Sequence, residues 1–228
     1  MSEDEQYQVL HRRREAFGSS DGGPHLPFLL AAEAAIQAKD LVDFGCGKGA
    51  AVRRVAQFGF EVVGHDPNVA EFAEVPERRF DLLYSFDVLE HIPLPAMDEA
   101  LTVCAGLAET ALLIPHLGLA STTLPNGDNA HCTILKPAKW VDVVARHYRF
   151  VTVVPHISNK HTILVASQQP QEHIAEACAA MRQGFAGLPD GLKARLRMAR
   201  RLLLSDEMRT VATRALRRRL PSRTGTED

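Results

Sequence analysis

The sequence predicts an α/β fold whose sheet is mostly parallel, ends on an antiparallel final strand and is followed by a helical C-terminal tail. Three observations predict it. Short apolar runs at residues 41–44, 60–64 and 81–86 each stop at a glycine or an acid, with helix-favouring stretches around them. Runs of that kind, mostly apolar rather than alternating, suit parallel strands buried on both faces. Residues 150–156 and 162–167 then form a β-rich pair around Ser158-Asn159-Lys160, which reads as a closing hairpin.

In chain order, residues 5–17 read as a short polar helix, and residues 18–24, rich in Gly, Ser and Asp, as a linker that composition makes flexible. A helix over 28–38 leads into the first strand, 41–44. Gly45, Gly47 and Gly49 then alternate, and without Cβ atoms they permit a tight turn and close approach of a ligand. Residues 50–57 favour a helix that stops at Gly59, so the turn delivers a helix N-terminus to whatever lies over the glycines. The second strand, 60–64, runs into His65-Asp66-Pro67. Only thirteen residues separate Asp66 from Phe80, too few for a full helix plus another strand. Strand 81–86 carries Asp87 at its carboxyl end, where ligands of open α/β sheets bind. A helix over 95–107, a strand over 111–115, a long polar loop over 116–136 and a helix over 139–147 precede the hairpin. These boundaries divide the chain into a cap and linker (1–24), a central domain (25–169) and a basic helical extension (170–228).

Composition narrows the function classes. The chain has 228 residues, 46% hydrophobic and 24% charged, ordinary values for a globular protein. No apolar run reaches the roughly 18 residues of a membrane span, and the acidic start Met-Ser-Glu-Asp-Glu lacks a secretory pattern. Cys46, Cys104, Cys132 and Cys178 form no Cys-x-x-Cys pair and read as reduced thiols. The expected location is cytoplasmic.

The tips carry the chemistry. An acid at the end of the second strand, Asp66, is placed to accept hydrogen bonds from two ribose hydroxyls. Gly45-x-Gly47-x-x-Ala50 also fits the loose nicotinamide fingerprint, a weak signal alone. Asp43 ahead of the first glycine, the Gly-x-Gly-x-Gly closure and Asp-Val-Leu-Glu-His-Ile after the third strand favour another cofactor. Residues 80–93 read Phe-Asp-Leu-Leu-Tyr-Ser-Phe-Asp-Val-Leu-Glu-His-Ile-Pro. Together these motifs, over residues 38–115, resemble the Rossmann-like class I S-adenosylmethionine-dependent methyltransferases, particularly those of the ubiquinone-pathway type. Residues 124–131 followed by Trp140 resemble a less characterised bacterial and phage branch. The resemblance implies S-adenosyl-L-methionine as cofactor, bound by Asp43, Gly45, Cys46, Gly47, Gly49, Asp66, Pro67 and Asp87. It sets Asp43 at the amino-acid end, the glycines beneath the carboxylate and ribose, Asp66 at the ribose and Asp87 beside the methionine portion. The adenine contact is not assignable; Asn68, Val69 and Phe72 are candidates.

Methyl transfer is an in-line displacement that needs the acceptor held close and dry. A hydroxyl acceptor also benefits from a general base, and histidine suits that role. His131, His91 and His116 are the catalytic candidates, in that order. Five histidines lie between 116 and 161, but their spacing fits no tight metal-ligand pattern, so no metal is expected. Trp140 reads as a packed helix residue.

The tail is basic. Residues 191–219 hold 10 Lys plus Arg against 2 Asp plus Glu, with Leu192, Leu196, Ala199 and Leu203 at helical spacing. An amphipathic basic helix there fits a membrane surface or another anionic partner, placing the protein peripherally at the inner membrane, ahead of nucleic acid, since no aromatics interleave. Three function classes follow: a methyltransferase acting on an oxygen of a small-molecule, saccharide or glycolipid-type acceptor; a nicotinamide-dependent oxidoreductase; and a non-catalytic cofactor-binding scaffold with a basic tail.

Overall fold

A computed structural model describes residues 3–13 and 17–186. The expected basic helix over 191–219 lies outside the described residues. None of the described helices is long and apolar enough to cross a membrane.

Helix α1 (Glu3–Arg13) and α2 (Leu26–Ile36) precede the sheet, and β1 (Asp40–Phe44), α3 (Ala50–Ala56) and β2 (Glu61–His65) make the first strand, turn, helix and strand unit. Then come β3 (Leu82–Phe86), α4 (Met97–Leu107), β4 (Thr110–Ile114), α5 (Pro137–Val144), β5 (Phe150–Pro155), β6 (Thr162–Ser167) and α6 (Glu172–Ala186). The six strands lie in the order β2-β1-β3-β4-β6-β5. Neighbours are parallel from β2 to β4, while β6 runs antiparallel to both β4 and β5. This is the mostly parallel sheet with an antiparallel final strand that the sequence predicts.

The strands β1, β3, β4 and β6 are buried along almost their whole length, and successive residues face opposite sides of the sheet with the period of two that the pleat imposes. Val42, Leu83, Leu113 and Leu164 face one core with Leu101, Cys104 and Trp140 of α4 and α5. Leu41, Leu82, Leu112 and Ile163 face another with Leu26, Phe28 and Leu29 of α2 and Ile174 and Cys178 of α6. Covered on both sides, the central strands need no polar face, which is why the sequence is mostly apolar there. Trp140 is fully buried, as its reading as a packing residue expects.

Between β2 and β3 the chain makes only a single 3₁₀ turn, Ala70–Phe72, in keeping with the short spacing. Other boundaries move. Pro27 and Pro137 sit in the first turns of α2 and α5, where a missing N–H costs nothing, so both helices start earlier than expected. Residues 18–24 are not a loose linker: the Lys48 N–H donates to the Gly18 carbonyl at 2.7 Å, and Gly22 O accepts from His25 and Leu26. A third, smaller cluster joins Tyr7 and Leu10 of α1 to Leu124 and Ala130 of the long loop.

Candidate functional site

Three parallel strands end side by side, with Asp43 in register with Gly64 and Tyr84. Beyond their carboxyl ends lies a cleft of about 640 Å³, within the range of small-ligand sites. Asp43, Gly45, Cys46 and Gly47 border it from the β1 tip, Asp66, Pro67 and Asn68 from β2, and Asp87, Val88 and His91 from β3. The N-terminal segment closes it with Tyr7, His11, Phe17 and Gly18. That wall has no motif in the sequence, because α1 reaches the cleft only through tertiary packing.

The glycine turn is tied to the second tip. Asp66 Oδ2 accepts the Gly47 N–H at 2.9 Å and Oδ1 accepts the Asn68 N–H at 2.9 Å. Each oxygen retains a lone pair for a further donor. Gly47 has φ 54°, and a Cβ there would fall 2.4 Å from the Gly18 carbonyl oxygen. Gly49 caps α3, faces Phe72 and does not border the cleft. Burial pushes the Cys46 thiol up, so it stays protonated and packs as an apolar group. Of the adenine candidates, Asn68 borders the cleft and Val69 and Phe72 do not; Ala73 and Val75 do instead.

Asp43 is 3% exposed. Burial pushes its carboxyl up to about 8, with the Tyr84 hydroxyl opposing the rise and the Asp66 charge adding to it. The Tyr84 hydroxyl is its polar neighbour inside the protein. A buried acid at the cleft edge fits the ammonium group of an amino-acid ligand, whose charge would favour the ionised carboxylate.

At the third tip Asp87 has φ 55°. Its Oδ2 lies 3.0 Å from His25 Nε2 and its Oδ1 2.9 Å from His161 Nε2. Burial alone would raise this carboxyl, but hydrogen bonds from His161 and His25 outweigh it and hold Asp87 well below the ordinary range. The tautomers follow from one fixed donor. The Ser158 N–H donates to His156 Nδ1, so His156 Nε2 carries the proton toward His25 Nδ1 at 3.2 Å, and His25 Nε2–H donates to Asp87. Sequence reasoning missed His25, His156 and His161; the ten histidines were the available signal, and nothing local links residue 25 to residue 156.

His91 ends a 3₁₀ turn, Leu89–His91, and borders the cleft. Its Nδ1 lies 2.7 Å from the Ala130 carbonyl. Burial, then repulsion from His131, pushes its pKa down to about 4, so the ring is neutral at pH 7. The His131 ring lies 4.7 Å from His91 and 4.8 Å from His116. Neither His131 nor His116 borders the main cleft; His131 borders a second cavity of about 480 Å³ with Asn126 and Asp128. Burial also lowers His116. Beside them Glu90, absent from the sequence candidates, is fully buried, and burial with the nearby Asp87 charge pushes its carboxyl well above the usual range.

Residues 10–117, which carry all three tips, match the family described as a methyltransferase domain. That stretch carries a class I S-adenosylmethionine-dependent methyltransferase domain. Its fold is similar to that of the magnesium protoporphyrin IX methyltransferase of Synechocystis with bound S-adenosylmethionine, with TM-score 0.50 and 16% identity over 74% of this chain and 98% of that one. It is also similar to a mitomycin 7-O-methyltransferase, with TM-score 0.50 and 15% identity over 72% of this chain and 60% of that one. No curated protein sequence matches the chain significantly. S-adenosylmethionine is the cofactor of such a domain, which sets the nicotinamide reading aside. The residues present suit it: a buried Asp43 carboxyl at the cleft edge, a glycine turn with no side chain to obstruct it, and an acid at the second tip.

Proposed function

We propose that this methyltransferase transfers the methyl group to a hydroxyl oxygen of a small-molecule or saccharide-type acceptor. The observation that carries the reading is His91, a neutral imidazole on the cleft wall whose Nδ1–H is committed to Ala130, leaving the Nε2 lone pair as a polar handle for a hydroxyl. The cleft volume supports a small acceptor group beside the cofactor.

When bound, S-adenosylmethionine supplies an electrophilic methyl on a sulfonium. Asp43 would hold its ammonium end, Asp66 its ribose, and the Gly45 to Gly47 backbone would let the methionine portion approach. Tyr7, Phe17 and Gly18 wall the same space and would limit the water around the bound cofactor. Asp87, fixed by two histidines, positions the third tip so that the wall does not shift as charge is lost from the sulfonium.

The test is incubation of the full chain with methyl-labelled S-adenosylmethionine and separate panels of phenolic, sugar and amine acceptors. Alkali-stable O-methyl ethers from the hydroxyl panels are expected. Label recovered on nitrogen, or on nucleic acid from an extract, would overturn the acceptor assignment.

A further inference from the structure

We propose that Glu90, His91 and His131 bind a divalent transition-metal ion beside the methyl-transfer site, with coordination positions left open for the acceptor's oxygen. This deepens the hydroxyl-acceptor reading, with His91 Nε2 acting on the hydroxyl through the ion rather than directly, and rests on that reading only for the ion's role, not for its binding.

One carboxylate oxygen and one ring nitrogen from each of these three residues lie within 4.8 Å of one another. The tautomers are fixed from outside. A carbonyl only accepts, so His91 Nδ1, 2.7 Å from Ala130 O, and His131 Nδ1, 2.6 Å from Gly118 O, must both carry their protons. Both Nε2 atoms are therefore lone-pair donors. Imidazoles held through Nδ1–H to a backbone carbonyl, with Nε2 free, are the usual support for metal ligands.

Glu90 is the independent observation. It is 0% exposed, and among the described residues its carboxylate is approached by the backbone of Glu90 and His116 but hydrogen-bonded by no other side chain. A buried acid without a side-chain partner is costly to ionise, a cost that an ion between it and the two imidazoles would offset. Its Oε1 lies 3.9 Å from His131 Nε2. Ligands about 2.1 Å from one ion stand roughly 3.0–3.5 Å apart, so a side-chain adjustment of under about 1 Å closes the site.

The surroundings are braced for it. Thr133 donates its N–H to Glu90 O at 3.0 Å and its Oγ1–H to Ile92 O at 2.7 Å, which fastens the His131 loop to the Glu90 turn. Tyr7 donates to the same Ala130 carbonyl that holds His91. His91 borders the main cleft and His131 the smaller cavity, so an ion between them is reachable from either side. The second histidine and carboxylate group, His25, Asp87 and His161, differs, because its carboxylate oxygens are already met by the histidines.

Two nitrogens and one oxygen suit Zn²⁺, Mn²⁺, Fe²⁺ or Co²⁺. Such an ion acidifies a hydroxyl that approaches it. The hydroxyl proton passes to solvent, the oxygen lone pair forms the O–CH₃ bond, and the C–S bond breaks to leave S-adenosylhomocysteine and the methyl ether.

The test is titration of chelator-treated full chain with Co²⁺, read by visible absorption and calorimetry. One equivalent is expected to bind with ligand-field bands. Affinity should fall at least about 10-fold in Glu90→Gln and in His131→Gln, and stay within about twofold in His161→Gln. S-adenosylhomocysteine binding by the two ligand variants shows that they are folded. No stoichiometric Co²⁺, Mn²⁺ or Zn²⁺ binding by the folded chain, or undiminished binding by both ligand variants, would overturn the site. Metal binding with methyl transfer to nitrogen would leave the site standing and remove only the hydroxyl reading.

Discussion

Replacing Gly47 by Ala tests the join between the cofactor turn and the N-terminal segment. At φ 54° a non-glycine residue costs about 1–2 kcal/mol. The added Cβ would also fall 2.4 Å from Gly18 O and 2.8 Å from Gly18 Cα, backbone atoms that cannot rotate away. Overpacking of that kind costs about 1–3 kcal/mol. The sum, roughly 2–5 kcal/mol, corresponds to a fall of roughly 4–20 °C in Tm for a domain of this size. If the Gly18 segment instead swings away, the Lys48 to Gly18 hydrogen bond is lost and the cleft loses a wall, so S-adenosylhomocysteine affinity falls while stability changes less. Gly59→Ala is the control. It shares the positive φ, at 89°, but nothing lies within 4 Å of its Cβ position, so it should show only the backbone part. Denaturant unfolding and calorimetric titration of both variants separate these outcomes. A Gly47→Ala protein with stability equal to Gly59→Ala and unchanged ligand affinity would refute the reasoning.

Asp43→Asn addresses pH. The folded carboxyl sits near 8, above its unfolded value, so its contribution to stability is full below about pH 4 and is lost as pH rises through 8. In unfolding measurements without ligand, the stability of Asp43→Asn relative to wild type should therefore rise between pH 5 and 8, and a flat difference would contradict the burial argument. Tyr7→Phe removes a 2.6 Å hydrogen bond to Ala130 O, which His91 still satisfies, so the expected loss is about 0.5–1.5 kcal/mol in denaturant unfolding. Trp140→Ala, at a fully buried position, should cost about 3–5 kcal/mol by the same measurement.

The strands and their tips were legible because the signals are local. Residues 41–44, 81–86 and 111–115 are mostly apolar where both faces are covered, and Asp43, Asp66 and Asp87 sit at or near the ends of such strands. The glycines marked the turn for the same reason. What the sequence did not reveal depends on distant partners. His25 meets Asp87 from 62 residues away and His156 from 131. Tyr7 reaches Ala130 across 123. Glu90 stood inside a motif read for its strand-end acid, and its burial becomes visible only when the long loop folds back over it. The histidines between 116 and 161 fit no ligand spacing in sequence, since they come from a loop, a strand end and a hairpin that only the sheet brings together.

The most direct test of the cofactor site is a crystal structure of the full chain with S-adenosylhomocysteine. The account expects the ribose hydroxyls on Asp66, the ammonium at Asp43 and the sulfur on the His91 side of the cleft. Ligand density elsewhere on the molecule, or the ribose turned away from Asp66, would contradict it.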